Sequence, residues 1–159
     1  MKATGNPITP HGFAAMRARY DALLGKDRPE IVEIISWAAG NGDRSENGDY
    51  IYGRRKLREI DRELARLARR MKAARVVDPA QQPDRSRVYF GATVTIADED
   101  DEHRTVTIVG DDEADAGANR IGWGSPLARA LRGASIGDLR TVRLPAGDKE
   151  WEVVGIAYD

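Results

Sequence analysis

The sequence predicts an α+β chain of two modules. An N-terminal antiparallel α-helical coiled-coil hairpin spans 1–78, and a small, mainly antiparallel sheet with one short helix spans 79–159. Three observations carry this reading. Apolar residues recur every three or four positions through the first half. From Val88 the apolar period changes to two. The charge divides as well: residues 1–75 hold 16 Lys/Arg against 10 Asp/Glu, and residues 76–159 hold 9 against 16. A chain that is nearly neutral as a whole therefore has a basic half and an acidic half, which suggests modules with different partners.

In the basic half, Thr9-Pro10 reads as a helix cap followed by proline at the first helical position, where a missing N–H breaks no bond. Phe13, Met16, Tyr20 and Leu23 follow at helical spacing. Pro29 cannot donate and crowds the turn before it, so a kink is expected at Asp27-Arg28-Pro29. Ile31, Ile34, Ile35 and Ala38 resume the stripe, and Gly40 and Gly42 are expected to end the helix in the left-handed conformation. The second helix carries Leu57, Ile60, Leu64, Leu67, Met71 and Ala74 at alternating steps of three and four. Such an a/d seam is narrow and suits one partner helix. The first helix is adjacent through a short turn, which makes a hairpin. Arms of about 30 residues project roughly 45 Å.

In the acidic half, residues 76–86 contain two prolines and few apolar residues and read as a linker. Val88, Phe90, Ala92, Val94 and Ile96 alternate as one strand face, and Thr105–Val109 is rich in β-branched residues. Arg120–Trp123 reads as a short strand. Leu139–Leu144 and Trp151–Ala157 read as two more, joined by the turn Pro145-Ala146-Gly147-Asp148. Ser125 caps a short helix with Pro126 at its first position.

Several function classes are excluded or disfavoured. There is no cysteine, hence no disulfide and no thiolate metal site. No apolar run approaches membrane-spanning length and residues 1–7 have no signal-peptide core, so a cytoplasmic protein with no membrane partner is expected. No nucleophile–base pair stands out. His11 and His103 have no partners at ligand spacing, and Asp98–Glu102 reads as a solvated hairpin loop.

The stretch Gly42–Tyr50 is the exception to this plainness. Asp43, Glu46 and Asp49 place three carboxylates at the hairpin tip. A tip packs against little, so these acids are poorly placed to serve the fold and well placed to be carried to another molecule. Their spacing alone also suits solvated acids at a helix start, where they favour the dipole. Ser45 reads as the cap of the second helix. Behind the tip runs a basic series: Arg54, Arg55, Lys56, Arg58, Arg62, Arg66, Arg69 and Arg70. It suits a solvated face, with Glu59 and Glu63 as partners, or a surface for a polyanion.

Several segments are shared with a known family: Ser36-Trp37-Ala38-Ala39, the tip, Lys56–Arg62, Tyr89-Phe90-Gly91-Ala92, and Ser125-Pro126 followed by Ala128–Leu131. Over nearly its whole length the chain resembles the bacterial Gre transcript-cleavage factors, the GreB type more than the GreA type. The resemblance implies an FKBP-like C-terminal domain that binds RNA polymerase at its secondary channel through Ser125, Pro126, Arg129 and Ala130. It implies a coiled coil that enters the channel, and a tip that stimulates cleavage of backtracked RNA by the polymerase. Asp43 and Glu46 would then help hold a Mg²⁺ ion and position water, with the catalytic centre supplied by the polymerase and no autonomous enzyme activity. Arg54, Arg55 and Arg58, nearest the tip, would contact the RNA 3′ segment.

Three tip residues keep two readings each. Asp49 either reaches the active site or stabilises the helix start; Arg44 either contacts phosphate or polymerase or is solvated; Tyr50 either stacks near the RNA end or packs at the hairpin top. Two positions depart from the family pattern. Gly48 stands where alanine is usual, which predicts a looser tip, and Gly124 stands where GreB-type chains carry a polar or acidic residue. A monomer is expected. The competing readings are a channel-binding regulator that does not promote cleavage and a free-standing nucleic-acid-binding coiled coil.

Overall fold

The computed structural model describes residues 5–41 and 47–159. The chain divides into two compact units, one of residues 13–73 and one of 74–159 together with the described part of 1–12.

The helical unit consists of α1 (Pro10–Ala22), whose first turn belongs to the other unit, α2 (Arg28–Ala39) and α3 (Gly48–Ala73). The expected kink before Pro29 takes the form of a π-helical turn over Leu23–Asp27. Arg28 N–H reaches Leu23 O, five residues back. The wider turn eases the proline's crowding. It also realigns the apolar stripe, because residues eight apart in a straight α-helix point about 80° apart. Leu23 and Ile31 both end up buried.

From α3 the seam buries Ile60, Leu64 and Leu67, with Leu57 and Met71 half-buried. Two ion pairs tie the arms across it: Arg19 Nε to Glu63 Oε1 at 3.0 Å and Arg28 Nε to Asp61 Oδ1 at 2.9 Å. The Arg19 hydrogen bond holds the Glu63 carboxyl below its ordinary 4.5. A group whose folded value is lowered contributes stability above its unfolded value and loses it as pH falls through the folded one. Glu63→Gln is therefore expected to lower the hairpin's stability above about pH 4.5, where the bond contributes, and to lessen its further loss of stability as pH falls below that value. Circular-dichroism melts on either side of that value check this.

Gly53 is buried, and it is a seam position the apolar pattern does not reveal. A Cβ there would sit 2.7 Å from Ile35 Cγ1, whereas at Gly48 it would meet nothing within 4 Å. Gly48→Ala is expected to stabilise the hairpin by about 0.5–1 kcal/mol. Gly53→Ala gains the same propensity but overpacks the seam, for a net loss of about 1 kcal/mol. Melting temperatures of the two variants should move in opposite directions.

The sheet unit holds β1 (Asn6–Ile8) and β2 (Ala74–Val76), paired in parallel, and a second sheet of β3 (Thr93–Ala97), β4 (His103–Val109), β5 (Arg120–Gly122), β6 (Leu139–Leu144) and β7 (Gly147–Ala157). The five strands lie in the order β5-β4-β3-β7-β6, parallel between β4 and β5 and antiparallel elsewhere. One helix, α4 (Pro126–Leu131), buries Ala128 and Leu131 in the core with Val94, Ile96, Ile108 and Val153. The α+β class, the helical hairpin and the sheet with one short helix are as expected.

Several boundaries differ from the sequence reading. The expected division at 78/79 does not match the units, because β1 and β2 pair and join the chain's start to the sheet unit. Ala74 accordingly leaves the helical seam for β2. The stretch 76–86 is not a free linker: it includes the end of β2 and a 3₁₀ turn over Pro79–Gln81 capped by Asp78. Val88, Phe90 and Ala92 are buried on the expected face, yet the strand begins only at Thr93. Gly91 interrupts it with φ +89°, and a Cβ there would lie 2.5 Å from Pro79. Gly40 ends α2 with φ −82° in the right-handed region rather than the left-handed one. Gly42 lies outside the described residues. Among the described residues no helix is long and apolar enough to cross a membrane.

Candidate functional site

Of the tip residues singled out from the sequence, Asp43, Arg44, Ser45 and Glu46 lie outside the described residues. The structure does define the two helix ends that flank them. The described cap of α3 is Asn47: its Oδ1 accepts from Tyr50 N at 3.1 Å, and its Nδ2 donates to Ala38 O at 2.6 Å. One side chain therefore satisfies an orphan donor of α3 and a late carbonyl of α2. Asparagine caps as well as serine does, so Asn47-Gly48-Asp49 already held this signal. Asp49 is exposed in the first turn of α3, and the Arg54 guanidinium lies 6.0 Å from the Tyr50 ring centroid.

Farther along α3, Arg55, Arg58, Arg62, Arg66 and Arg69 are exposed. At about 100° per residue they fall within an arc of about 80° on the side away from Leu64, and they extend for about 21 Å. Seam and stripe occupy opposite sides of one helix. Among the described residues, Arg55, Arg58, Arg62 and Arg69 form no ion pair. Lys56 is paired with Glu59 at 3.8 Å.

In the sheet unit, Ser125 caps α4 by accepting from Ala128 N at 3.3 Å, as its position before proline predicts. Pro126 and Arg129 are exposed, and Ala130 is half-buried. Gly124 has a local reason. Its N–H donates to Asp111 Oδ1 at 2.8 Å, and a Cβ at 124 would lie 3.1 Å from Asp111 Oδ2. A carboxylate thus stands beside Ser125-Pro126 even though residue 124 supplies none. Sequence reading cannot find this, since Asp111 arrives from the connection between β4 and β5.

Nearby, the Arg132 guanidinium lies 3.6 Å above the Trp123 ring centroid and donates to Trp123 O. Burial there pulls it below its ordinary value. A groove of about 390 Å³ opens next to Ser125 and Pro126, with Ile121, Val142 and Trp151 among its apolar walls and Arg104 and Lys149 as its cations. The acidic loop is a turn, as expected: Asp98 Oδ1 accepts from Asp100 N and Glu102 N, both at 2.9 Å. Among the described residues, no group of three or more His, Asp or Glu is placed to hold a metal.

Two family models match the chain in tandem, the N-terminal model of transcription elongation factors over residues 6–76 and the C-terminal GreA/GreB model over residues 82–158. The chain belongs to the GreA/GreB family of transcription elongation factors. Among similar members, the GreB of Neisseria meningitidis serogroup B is 50% identical over 155 residues, covering 98% of this chain and 95% of that one. The GreB of Pseudomonas aeruginosa is 47% identical over 159 residues, covering 99% and 94%. Among solved structures, the GreA homologue Gfh1 of Thermus thermophilus aligns with a TM-score of 0.43 at 19% identity, covering 96% of this chain and 99% of that one. The GreB-type resemblance read from the sequence agrees with these relatives. The family assignment takes in the tip segment, the α3 stripe and the Ser125-Pro126 surface together.

Proposed function

We propose that this chain binds bacterial RNA polymerase in its secondary channel and stimulates Mg²⁺-dependent cleavage of backtracked nascent RNA, which rescues stalled complexes. What supports this reading most is the sequence position of Asp43 and Glu46, between the paired helices α2 and α3, in a member of this family. A 26-residue α3 extends about 39 Å, which suits delivery of a short acidic segment into a narrow channel.

The donor set fits Mg²⁺. Two carboxylates three residues apart offer hard oxygens and leave other positions to water and to carboxylates of the polymerase. Bound there, the ion would supply activation of the attacking water and neutralisation of charge on the leaving oxygen. Asp43 and Glu46 hold and orient; Asn47 fixes the start of α3 behind them. No autonomous nuclease activity is proposed, because two carboxylates alone bind the ion weakly.

The Ser125–Ala130 surface, with Asp111 beside it, docks the sheet unit on the polymerase. The arginine stripe of α3 receives the displaced RNA 3′ segment, with Arg55 and Arg58 at its tip end and Arg54 beside them. Arg55→Glu with Arg58→Glu is expected to weaken crosslinking to that RNA and to reduce the salt slope by roughly 0.7 for each phosphate no longer neutralised.

The reading is tested on purified backtracked polymerase complexes in Mg²⁺ with and without the protein. Accelerated release of a 3′ fragment is the expected result. Binding without acceleration would identify a channel-occupying regulator instead.

A further inference from the structure

Residues Glu30, Glu33, Ile34 and Trp37 occupy one face of α2 at spacings of three, four and seven. They line a groove of about 440 Å³. Its two apolar members are unusually open, Trp37 at 62% and Ile34 at 42% exposure, while Ile31 and Ala38 of the same helix are buried in the hairpin. Among the described residues, neither glutamate has an ion-pair partner and Trp37 makes no ring contact. Among the described residues these side chains thus have no ion pair or ring contact, and they combine features an interface anchor requires: a large aromatic, an aliphatic neighbour and two charges without a cation.

We infer that this groove receives a lysine- or arginine-bearing segment of the polymerase when the hairpin is inserted. The inference rests on the proposed channel-binding function and adds a contact on the arm itself. The chemistry selects the occupant. A cation held between Glu30 and Glu33 can lay its alkyl stem on Ile34 and its charge over the Trp37 face, combining ion pairing with a cation–π contact. Tryptophan and arginine are the residue types that dominate such anchors. RNA is the wrong occupant for this face, because two carboxylates repel phosphate; the polyanion side of the unit is the arginine stripe of α3.

The test uses the full chain with a photoreactive benzoylphenylalanine at position 37, bound to backtracked polymerase complexes. It is combined with affinity measurements across a salt series for Glu30→Gln/Glu33→Gln, Trp37→Ala and Trp37→Phe. All four positions face outward, so helicity should be unchanged and is checked by circular dichroism.

The expected result is a crosslink to a polymerase peptide containing lysine or arginine. The double glutamine variant and Trp37→Ala should each lose affinity by roughly tenfold. Salt dependence should flatten in the glutamine variant, and Trp37→Phe should recover part of the loss. A crosslink to RNA or to a second copy of the chain overturns the inference. So do variants that match a wild type which itself binds and stimulates cleavage, and in that case the proposed function stands. A wild type that does not bind polymerase at all removes both.

Discussion

Alanine at Asp43 or at Glu46 is expected to lower stimulated RNA cleavage by at least about 100-fold, the usual order for loss of one preorganised group that meets charge in a transition state. Affinity for polymerase should persist, because docking is assigned to the Ser125 surface of the other unit. On the proposed function the two carboxylates act on one ion, so the double variant should be scarcely worse than either single one, as befits residues that work as a unit. Asp43→Asn keeps the shape and removes the charge, and it should resemble Asp43→Ala. Raising Mg²⁺ should recover part of the lost rate in the Glu46→Ala complex, since one carboxylate still offers oxygens to the ion. Asp49→Ala serves as the control: it sits in the first turn of α3 and, if it acts only on the helix dipole, changes stability slightly and cleavage little. The decisive measurement is single-turnover cleavage at saturating factor. Undiminished rates in both variants would remove the tip from the chemistry.

How much of this could be read from the chain depends on the range of the forces involved. The α3 seam was legible because Leu57, Ile60, Leu64 and Leu67 repeat within one helix and face one partner. The cap at Ser125 was legible because a serine before proline settles its own helix start. Asn47 carried the same kind of signal two residues after Ser45, and the bond from Tyr50 N to its Oδ1 makes it the described cap. The π-helical turn was half legible: Pro29 demands some distortion, but the choice of π geometry over a bend comes from keeping Leu23 and Ile31 on one stripe.

Contacts between distant segments left no local trace. β1 pairs with β2 across more than sixty residues of hairpin, with Asn6 opposite Ala74, so the first residues of the chain had to be misassigned to the helical module. Glu113 accepts from Thr9 N and Gly110 N and from the Thr9 hydroxyl, which fixes the start of α1 within the sheet unit. Asp111 reaches Gly124 in the same long-range way. Gly124 consequently looked like a loss of polarity from the sequence, and it is a position where a neighbouring carboxylate takes the space.

Leu131→Ala is expected to destabilise the sheet unit by about 2–5 kcal/mol, a large share of the stability of a small domain. Leu131 is fully buried at the end of a six-residue helix. A helix that short has no stability of its own and holds its place only through the side chains it buries. Ala128 and Leu131 are those side chains in α4, and Ser125 and Pro126 stand at the other end of the same element. Removing Leu131 should therefore loosen the proposed docking surface without touching any residue in it. Trp123 and Trp151 lie in this unit, so their fluorescence follows its melting. Polymerase affinity should fall over the temperature range in which that signal is lost, while far-ultraviolet helicity, dominated by α1–α3, declines less. Leu139→Ala removes the same atoms from a residue 60% exposed on β6 and should change little. Unchanged melting of Leu131→Ala would mean that α4 is held by its cap and backbone bonds alone. Reduced affinity with intact melting would place Leu131 itself in the docking surface.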